Sequence, residues 1–165
     1  MKNIDNNMLF ELSINASQSP RRRAHLNLHP QLEDPVQRLL VAMEPDSYVR
    51  PHRYAEPGKW ELFIVIKGKF QAFIFDQQGT ILDTQILSVN GEFSIIIEIP
   101  PLTWHGVIAL EPGSVFFETK PGPYIVTADK DFADWAPEEQ TDGVATFMSW
   151  LKTAKVSDNV KDQNK

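Results

Sequence analysis

Two histidines and one glutamate stand out in the β-rich centre of the sequence. His52 and His105 lie in segments rich in β-branched and aromatic residues, and Glu61 stands between Trp60 and the apolar run LFIVI. A carboxylate is costly to bury in such a run unless it is paired or bound to a cation. Two neutral imidazoles and one carboxylate leave coordination positions open on Fe(II), Mn(II), Ni(II) or Zn(II). These three residues are therefore predicted to bind one divalent metal ion.

Each of the three residues also has an ordinary structural interpretation. His52 could be a solvated histidine at a strand edge, because the proline before it favours edges and bulges. His105 could be a half-buried, hydrogen-bonded ring beside Trp104, and Glu61 could form a salt bridge with Lys59 or an arginine. We do not expect all three of these ordinary interpretations to hold together.

Further polar and aromatic residues are predicted to line a pocket around the metal. A strand period of two places Arg50, His52 and Tyr54 on one face. A phenol with its ordinary pKa of about 10 is less suited to ligating the ion than to hydrogen bonding near it. The cationic members would suit a carboxylate or phosphate, and surface ion pairs are the alternative. The predicted pocket residues are Tyr54, Arg50, Arg53, Trp104, His25, Lys120 and Tyr124.

The elements that would position these residues are short strands. Between residues 47 and 120, β-branched and aromatic runs alternate with turn signals, which is typical of an antiparallel sandwich or barrel. The turns fall at Gly68, at residues 76–79 (DQQG), at Asn90-Gly91 and at residues 111–114 (EPGS). Six or seven strands are predicted. The run FSIII within residues 92–99 is apolar on both faces, so we expect it to lie inside the fold.

Helices are predicted on both sides of the strands. Apolar residues recur at helical spacing over residues 6–17, and Val144, Phe147, Met148 and Leu151 form one helical stripe. We therefore divide the chain into an N-terminal helix and extension packed on the barrel (1–46), the barrel (47–124), a C-terminal helical appendage (125–155) and a disordered tail (156–165).

Composition limits the remaining possibilities. A chain of 165 residues fits one domain, and its 16 basic against 22 acidic residues give a net charge of -6, which argues against nucleic acid as a partner. There is no cysteine, so a metal would need nitrogen and oxygen ligands. Neither a secretion signal nor a run of eighteen apolar residues is present. We expect a cytoplasmic protein without a membrane partner.

Two stretches carry a resemblance to a known family. His52-Arg53-Tyr54, six residues, Glu61, six residues and Gly68 resemble the first cupin motif, and residues 100–105 (PPLTWH) resemble the second. RRRAHLNLH, DPVQRLL, YVRPHR, KWELF and FFETKPGPY extend the resemblance, over residues 17–124, to the WbuC family of cupin-fold metalloproteins. It implies a mainly β fold, a cupin-type double-stranded β-helix (jelly-roll barrel) with short terminal helices. Tyr54 and Leu102 depart from the motifs, which have histidine and glycine there.

Three functions are compatible with these residues. The first is a metal-dependent enzyme acting on a small polar molecule, and the WbuC resemblance implies a sugar or nucleotide-sugar linked to surface polysaccharide synthesis. The second is a non-catalytic cupin module that binds a small ligand. The third is a metal-independent, epimerase-like cupin, which would need a histidine base and a tyrosine acid and would compete with a metal for the same histidines. We expect a homodimer in each case, because strand edges invite pairing.

Overall fold

The computed structural model describes residues 1–124 and 132–163. Within them, helix α1 (Asn6–Gln18) comes first and helix α2 (Gly143–Leu151) comes late, followed by a 3-10 turn at Val160–Asp162. The strands between the helices are β1 (Arg23–Asn27), β2 (Val36–Met43), β3 (Glu61–Lys67), β4 (Lys69–Phe75), β5 (Ile81–Ser88), β6 (Ile96–Ile99), β7 (Trp104–Ala109) and β8 (Ser114–Pro121).

The strands form two antiparallel sheets that face each other. One has the order β1-β2-β8-β3-β6 and the other the order β5-β4-β7. An isolated bridge between His52 and His105 adds the segment before β3 to the outer edge of β7. From β3 onwards the chain alternates between the sheets, except that β4 and β5 are consecutive in the same sheet. This order is that of a jelly roll, so the predicted fold class is confirmed.

Side-chain alternation along β2 and β8 separates the inside of the barrel from the face under α1. Val41, Met43 and Phe116 belong to the core between the sheets, whereas Leu40 and Val115 pack with α1. The period of two explains this division, because successive side chains of a strand point to opposite faces. At the far end of β8 the same inward face carries Glu118 and Lys120, so the interior becomes polar there.

Both predicted helices are confirmed. The N-cap of α1 is Asp5, whose side chain accepts a hydrogen bond from the Met8 backbone at 2.9 Å. This bond satisfies one of the free N–H groups at the helix start. Helix α2 buries Phe147, Met148 and Leu151, three members of the stripe found in the sequence.

Strand β6 departs from expectation. The run FSIII was expected inside the fold, but β6 is the edge of the five-stranded sheet and Ile95 and Ile96 are about half exposed. Strand β6 pairs with β3 alone. An apolar run of this length can form either a buried strand or an edge strand, and hydrophobicity does not distinguish the two. The prediction of a buried strand was therefore wrong.

The end of the chain is also more ordered than expected in its described part. Residues 156–163 lie against the β4–β5 turn, where Val160 N–H donates to Gly79 O and Ile81 N–H donates to Asp158 O. The side chain of Val160 is buried. These backbone hydrogen bonds hold the tail against the turn. The polar composition of the tail gives no sign of them, because they do not depend on side-chain type.

The division of the chain at residues 46, 124 and 155 stays a prediction. Strands β1 and β2 precede residue 47 but lie in the same sheet as β8. The segment before residue 47 therefore contributes strands to the barrel as well as a helix packed on it. Residues 125–131 lie outside the described residues. Among those described, no helix has both the length and the apolar character needed to cross a bilayer.

The β3–β4 connection gives a testable prediction. Gly68 has a φ of +75°, and an added Cβ would clash with Ser114 Oγ and lie 2.9 Å from Ser114 Cβ. We expect Gly68→Ala to lower the free energy of unfolding by about 2 kcal/mol, measured by urea denaturation. The control is Gly58→Ala, whose Cβ would meet nothing within 4 Å and should change stability by less than about 1 kcal/mol. Equal losses of unfolding free energy in the two variants would contradict the role given to the positive φ of Gly68 and its close contact with Ser114.

Candidate metal centre

The two histidines are held side by side by the backbone. His52 N–H donates to His105 O at 3.0 Å, and His105 N–H donates to His52 O at 2.9 Å. Residues that exchange two such bonds point their side chains to the same face of an antiparallel pair. The ring centroids lie 4.5 Å apart. The spacing of the two imidazoles is therefore set by main-chain hydrogen bonds.

Hydrogen bonds to carbonyl groups fix the orientation of both rings. His52 Nδ1 lies 3.0 Å from Arg50 O, and His105 Nδ1 lies 2.9 Å from Thr103 O. A carbonyl oxygen can only accept, so each Nδ1 carries the proton and donates. Burial, with a smaller effect of His105, lowers the pKa of His52 to about 4. The His52 ring is therefore neutral at pH 7, with a lone pair on Nε2.

Glu61 completes the cluster from the opposite sheet. It is the first residue of β3 and is only 3% exposed. One ligand atom from each of His52, Glu61 and His105 lies within 4.8 Å of the others. Burial alone would raise the pKa of Glu61, but that pKa lies well below its ordinary value, with the Lys120 ammonium as the largest opposing influence. Glu61 is therefore a buried carboxylate anion.

Two acceptor atoms face each other inside the cluster. Glu61 Oε2 and His105 Nε2 are 2.8 Å apart, and neither has a hydrogen-bond partner among the described residues. Because His105 donates through Nδ1, its Nε2 carries a lone pair unless the ring takes up a second proton. A lone pair and a carboxylate oxygen at this distance need a proton or a metal cation between them. The donor set thus fits a divalent ion.

Lys120 holds the other oxygen of Glu61. Its Nζ lies 2.9 Å from Glu61 Oε1, 2.7 Å from Tyr54 Oη and 2.6 Å from Glu118 Oε1. Tyr54 in turn donates to Glu61 Oε1 at 3.1 Å. Burial opposes the charge of Lys120, but Glu118 and Glu61 raise its pKa well above the ordinary value. The ammonium group therefore remains charged and compensates the buried carboxylates.

Glu118 was not identified from the sequence as a member of this site. The side chain is buried, and burial raises its pKa against the opposing charge of Lys120. The available signal was the period of two on β8, which places Glu118 on the same face as Lys120.

A cavity of about 340 Å³ opens beside the cluster, which is within the size range of small-molecule sites. Its lining includes the three predicted metal ligands together with Tyr54, Lys120, His25 and Tyr124 from the predicted pocket. Apolar residues of β2, such as Val41 and Met43, form part of the wall. The predicted metal ligands thus lie in the wall of a cavity large enough for a small molecule.

Three other predicted pocket residues do not line this cavity. The Arg50 guanidinium donates to Ala133 O at 2.9 Å, and Arg53 lies over the ring of Trp104, 4.6 Å from its centroid. The expected period of two fails for Arg50, because residues 47–53 form no regular strand and His52 alone among them makes β-bridges. Placing Arg50, Arg53 and Trp104 at the pocket is therefore corrected by the structure.

Replacing Lys120 tests the charge balance. In EDTA-treated protein, Lys120→Met leaves Glu61 and Glu118 buried without a cation, so we expect a loss of about 3–5 kcal/mol in the free energy of unfolding at pH 7.5. Without Lys120 the folded-state pKa of both carboxyls rises, so protonation near pH 4.5 relieves the penalty and the loss becomes smaller. Urea denaturation at the two pH values measures both effects.

Lys59→Met is the matched control. Lys59 is also buried beside Tyr54, 5.3 Å from the ring centroid, but its acidic partner Glu56 is exposed. Its removal strands no buried charge, and we expect a loss below about 1 kcal/mol at either pH. A loss for Lys120→Met that does not depend on pH would contradict the role given to its charge.

Several solved structures are similar to this chain. KdgF from Halomonas sp. is 19% identical with a TM-score of 0.48, over 66% of this chain and 85% of that one. The cupin domain of Cnp3 from Schizosaccharomyces pombe is 12% identical with a TM-score of 0.46, over 61% and 64%. The plu4264 protein from Photorhabdus luminescens is 20% identical with a TM-score of 0.47, over 73% and 84%. Similarity at this level carries no argument about the metal centre.

Sequence comparison is more specific. No curated protein matches the chain, and the narrower resemblance to the WbuC family stays a prediction. Residues 4–87, just over half of the chain, match a family described as a domain of unknown function, DUF6016. The matched range includes His52 and Glu61 and ends before His105. The chain therefore belongs to the DUF6016 family.

Proposed function

We propose that this protein binds one divalent metal ion through His52, Glu61 and His105 and uses it as an enzyme acting on a small polar molecule. The observation that carries the proposal is the pair of buried acceptors, Glu61 Oε2 and His105 Nε2, 2.8 Å apart. The neutral ring of His52 lies beside them. A cation shared by the three groups satisfies all of them at once.

The surrounding residues prepare the ligand atoms. Thr103 and Arg50 carbonyls hold the rings with Nε2 free, a common arrangement for histidines that ligate metals. Lys120 and Tyr54 bind Glu61 Oε1 and so direct Oε2 towards the histidines. When bound, a divalent ion would act as a Lewis acid that polarises a carbonyl or hydroxyl oxygen of the substrate.

Charge in the cavity favours a substrate with an anionic or strongly electronegative group. Lys120 balances one of the two buried carboxylates, and a divalent ion adds two positive charges, so the loaded cavity has a surplus of positive charge. Sugars and nucleotide-sugars, the class implied by the WbuC resemblance, carry suitable oxygen groups. Glu118, the second carboxylate on the cavity wall, can accept or return a proton to a bound substrate.

A binding module without turnover is the second candidate, and Lys120 is the observation that favours it. Its ammonium already lies 2.9 Å from Glu61, so the charge of that carboxylate is balanced without a metal. In this candidate the cavity captures a small ligand through Lys120 and the histidines. Metal analysis separates the two functions.

Metal content is the decisive measurement. We expect about one iron, manganese, nickel or zinc ion per chain by plasma mass spectrometry, either as purified or after reconstitution. His52→Ala, His105→Ala and Glu61→Gln should each abolish stoichiometric binding, because three strong ligands leave no redundancy. His25→Ala, a change of another histidine on the cavity wall, should retain it. A wild-type protein that takes up none of the four metals excludes the enzyme proposal and leaves the binding module.

Tyr54→Phe tests the placement of the phenol outside the metal ligands. Burial, with Glu61, raises the pKa of Tyr54 above its ordinary value, so the hydroxyl stays protonated and serves Glu61 as a donor. We expect the variant to keep one ion per chain and to bind it about tenfold more weakly, measured by competition with a chelator. Loss of the stoichiometric ion would instead make Tyr54 a ligand.

A further inference from the structure

His29 is a buried histidine on the cavity wall, distant in sequence from the metal centre. It lies just past the end of β1 and is 6% exposed. Its Nδ1 is 2.9 Å from the carbonyl oxygen and 3.0 Å from the backbone nitrogen of Arg38 on β2. The position of the ring is therefore fixed by the β2 backbone.

The backbone hydrogen bonds determine which nitrogen of His29 carries the proton. The carbonyl of Arg38 already accepts from Leu28 N–H at 2.8 Å, whereas the Arg38 N–H needs an acceptor. Nδ1 supplies that acceptor only if it is unprotonated, and the opposite choice would leave a backbone N–H unpaired. We infer that the neutral ring carries its proton on Nε2, although Nδ1 then lies 2.9 Å from the Arg38 carbonyl oxygen with no proton between them.

The Nε2–H group is a donor without an acceptor. The atom is buried and has no hydrogen-bond partner among the described residues. Buried donors are nearly always satisfied, and leaving one unsatisfied is costly. Because His29 lines the cavity, a molecule bound there can supply the missing acceptor.

The sheet order places His29, just past the end of β1, three strands away from Glu61 on β3. Gln37 of β2 pairs with Lys120 of β8, and Lys120 lies beside Glu61 at the start of β3. Adjacent strands are about 4.8 Å apart, so the backbones of β1 and β3 are separated by roughly 14 Å. A molecule that contacts both His29 and the metal centre would therefore have to reach across the inward face of these strands.

The surroundings of His29 favour an uncharged acceptor. Burial, with Arg23 and Arg21, lowers the pKa of His25 to about 4, so this second ring is neutral at pH 7. The guanidinium of Arg23 is engaged by Tyr48 O at 2.7 Å and by Glu139 at 2.6 Å. At this end of the cavity the donors are neutral side chains and the nearby cations are paired, so a hydroxyl or carbonyl oxygen fits better than an anion.

We propose that the ligand of this cavity is an extended polar molecule with two oxygen ends: an anionic or chelating end at the metal centre, and a hydroxyl or carbonyl oxygen that accepts from His29 Nε2. This inference rests on the proposed function for its metal-bound end. The contact with His29 does not depend on a bound metal, because it is inferred from the position and burial of the His29 ring. His29 is a binding residue in this proposal and has no role in the chemistry.

Two probe molecules with the same chelating end test the contact. Gluconate and 2-hydroxyhexanoate share a carboxylate, an α-hydroxyl and a six-carbon chain, and only gluconate has hydroxyls along the rest of the chain. Calorimetry with metal-loaded protein compares wild type with His29→Asn, whose side-chain oxygen can still accept from Arg38 N–H. We expect the variant to bind gluconate about 3- to 10-fold more weakly and 2-hydroxyhexanoate unchanged.

Other outcomes are equally informative. No gluconate binding by the wild type, or equal weakening of both probes in the variant, would overturn the inference. Nitrogen-15 NMR of the wild type provides a measurement independent of the variant: it should show the proton of His29 on Nε2, and a proton on Nδ1 would also overturn it. If metal analysis fails but metal-free protein shows the selective loss of gluconate affinity, the His29 contact stands and the metal proposal falls.

Discussion

The ion pair between Lys120 and Glu61 is the interaction on which the interior of this barrel depends. A carboxylate that is 3% exposed would be strongly destabilising without a cation. Lys120 meets that need from the neighbouring strand, and the β3–β8 register places the two residues opposite each other. A polar end can therefore exist in a core that is otherwise built from apolar side chains.

The jelly-roll topology explains why distant residues meet at this end. His52 and His105 pair in one sheet through their backbones, while Glu61 and Lys120 lie in the other. Each predicted ligand is thus placed by a strand or a bridge and not by a free loop, which favours a precise geometry. The same facing of the sheets creates the cavity, so the candidate ligands and the space for a small molecule have one structural origin.

The sequence predicted the parts of the site that depend on residue type and local spacing. Glu61 was identifiable because a carboxylate in an apolar run is costly, and the two histidines because they occur in strand-like segments. Arg50 was misplaced because the period of two requires a regular strand, which residues 47–53 do not form. Glu118 was missed because its partner and its burial arise from packing of β8 against β3. The edge position of β6 likewise depends on sheet order, which hydrophobicity does not encode.

The two carboxylate oxygens of Glu61 have different surroundings. Oε1 is engaged by Lys120 and Tyr54, and Oε2 faces the histidines. A metal can therefore bind without displacing the lysine that stabilises the fold. The same lysine lowers the negative charge available to the ion, which weakens binding compared with a carboxylate that serves the metal alone. We therefore expect an ion bound at this site to be exchangeable.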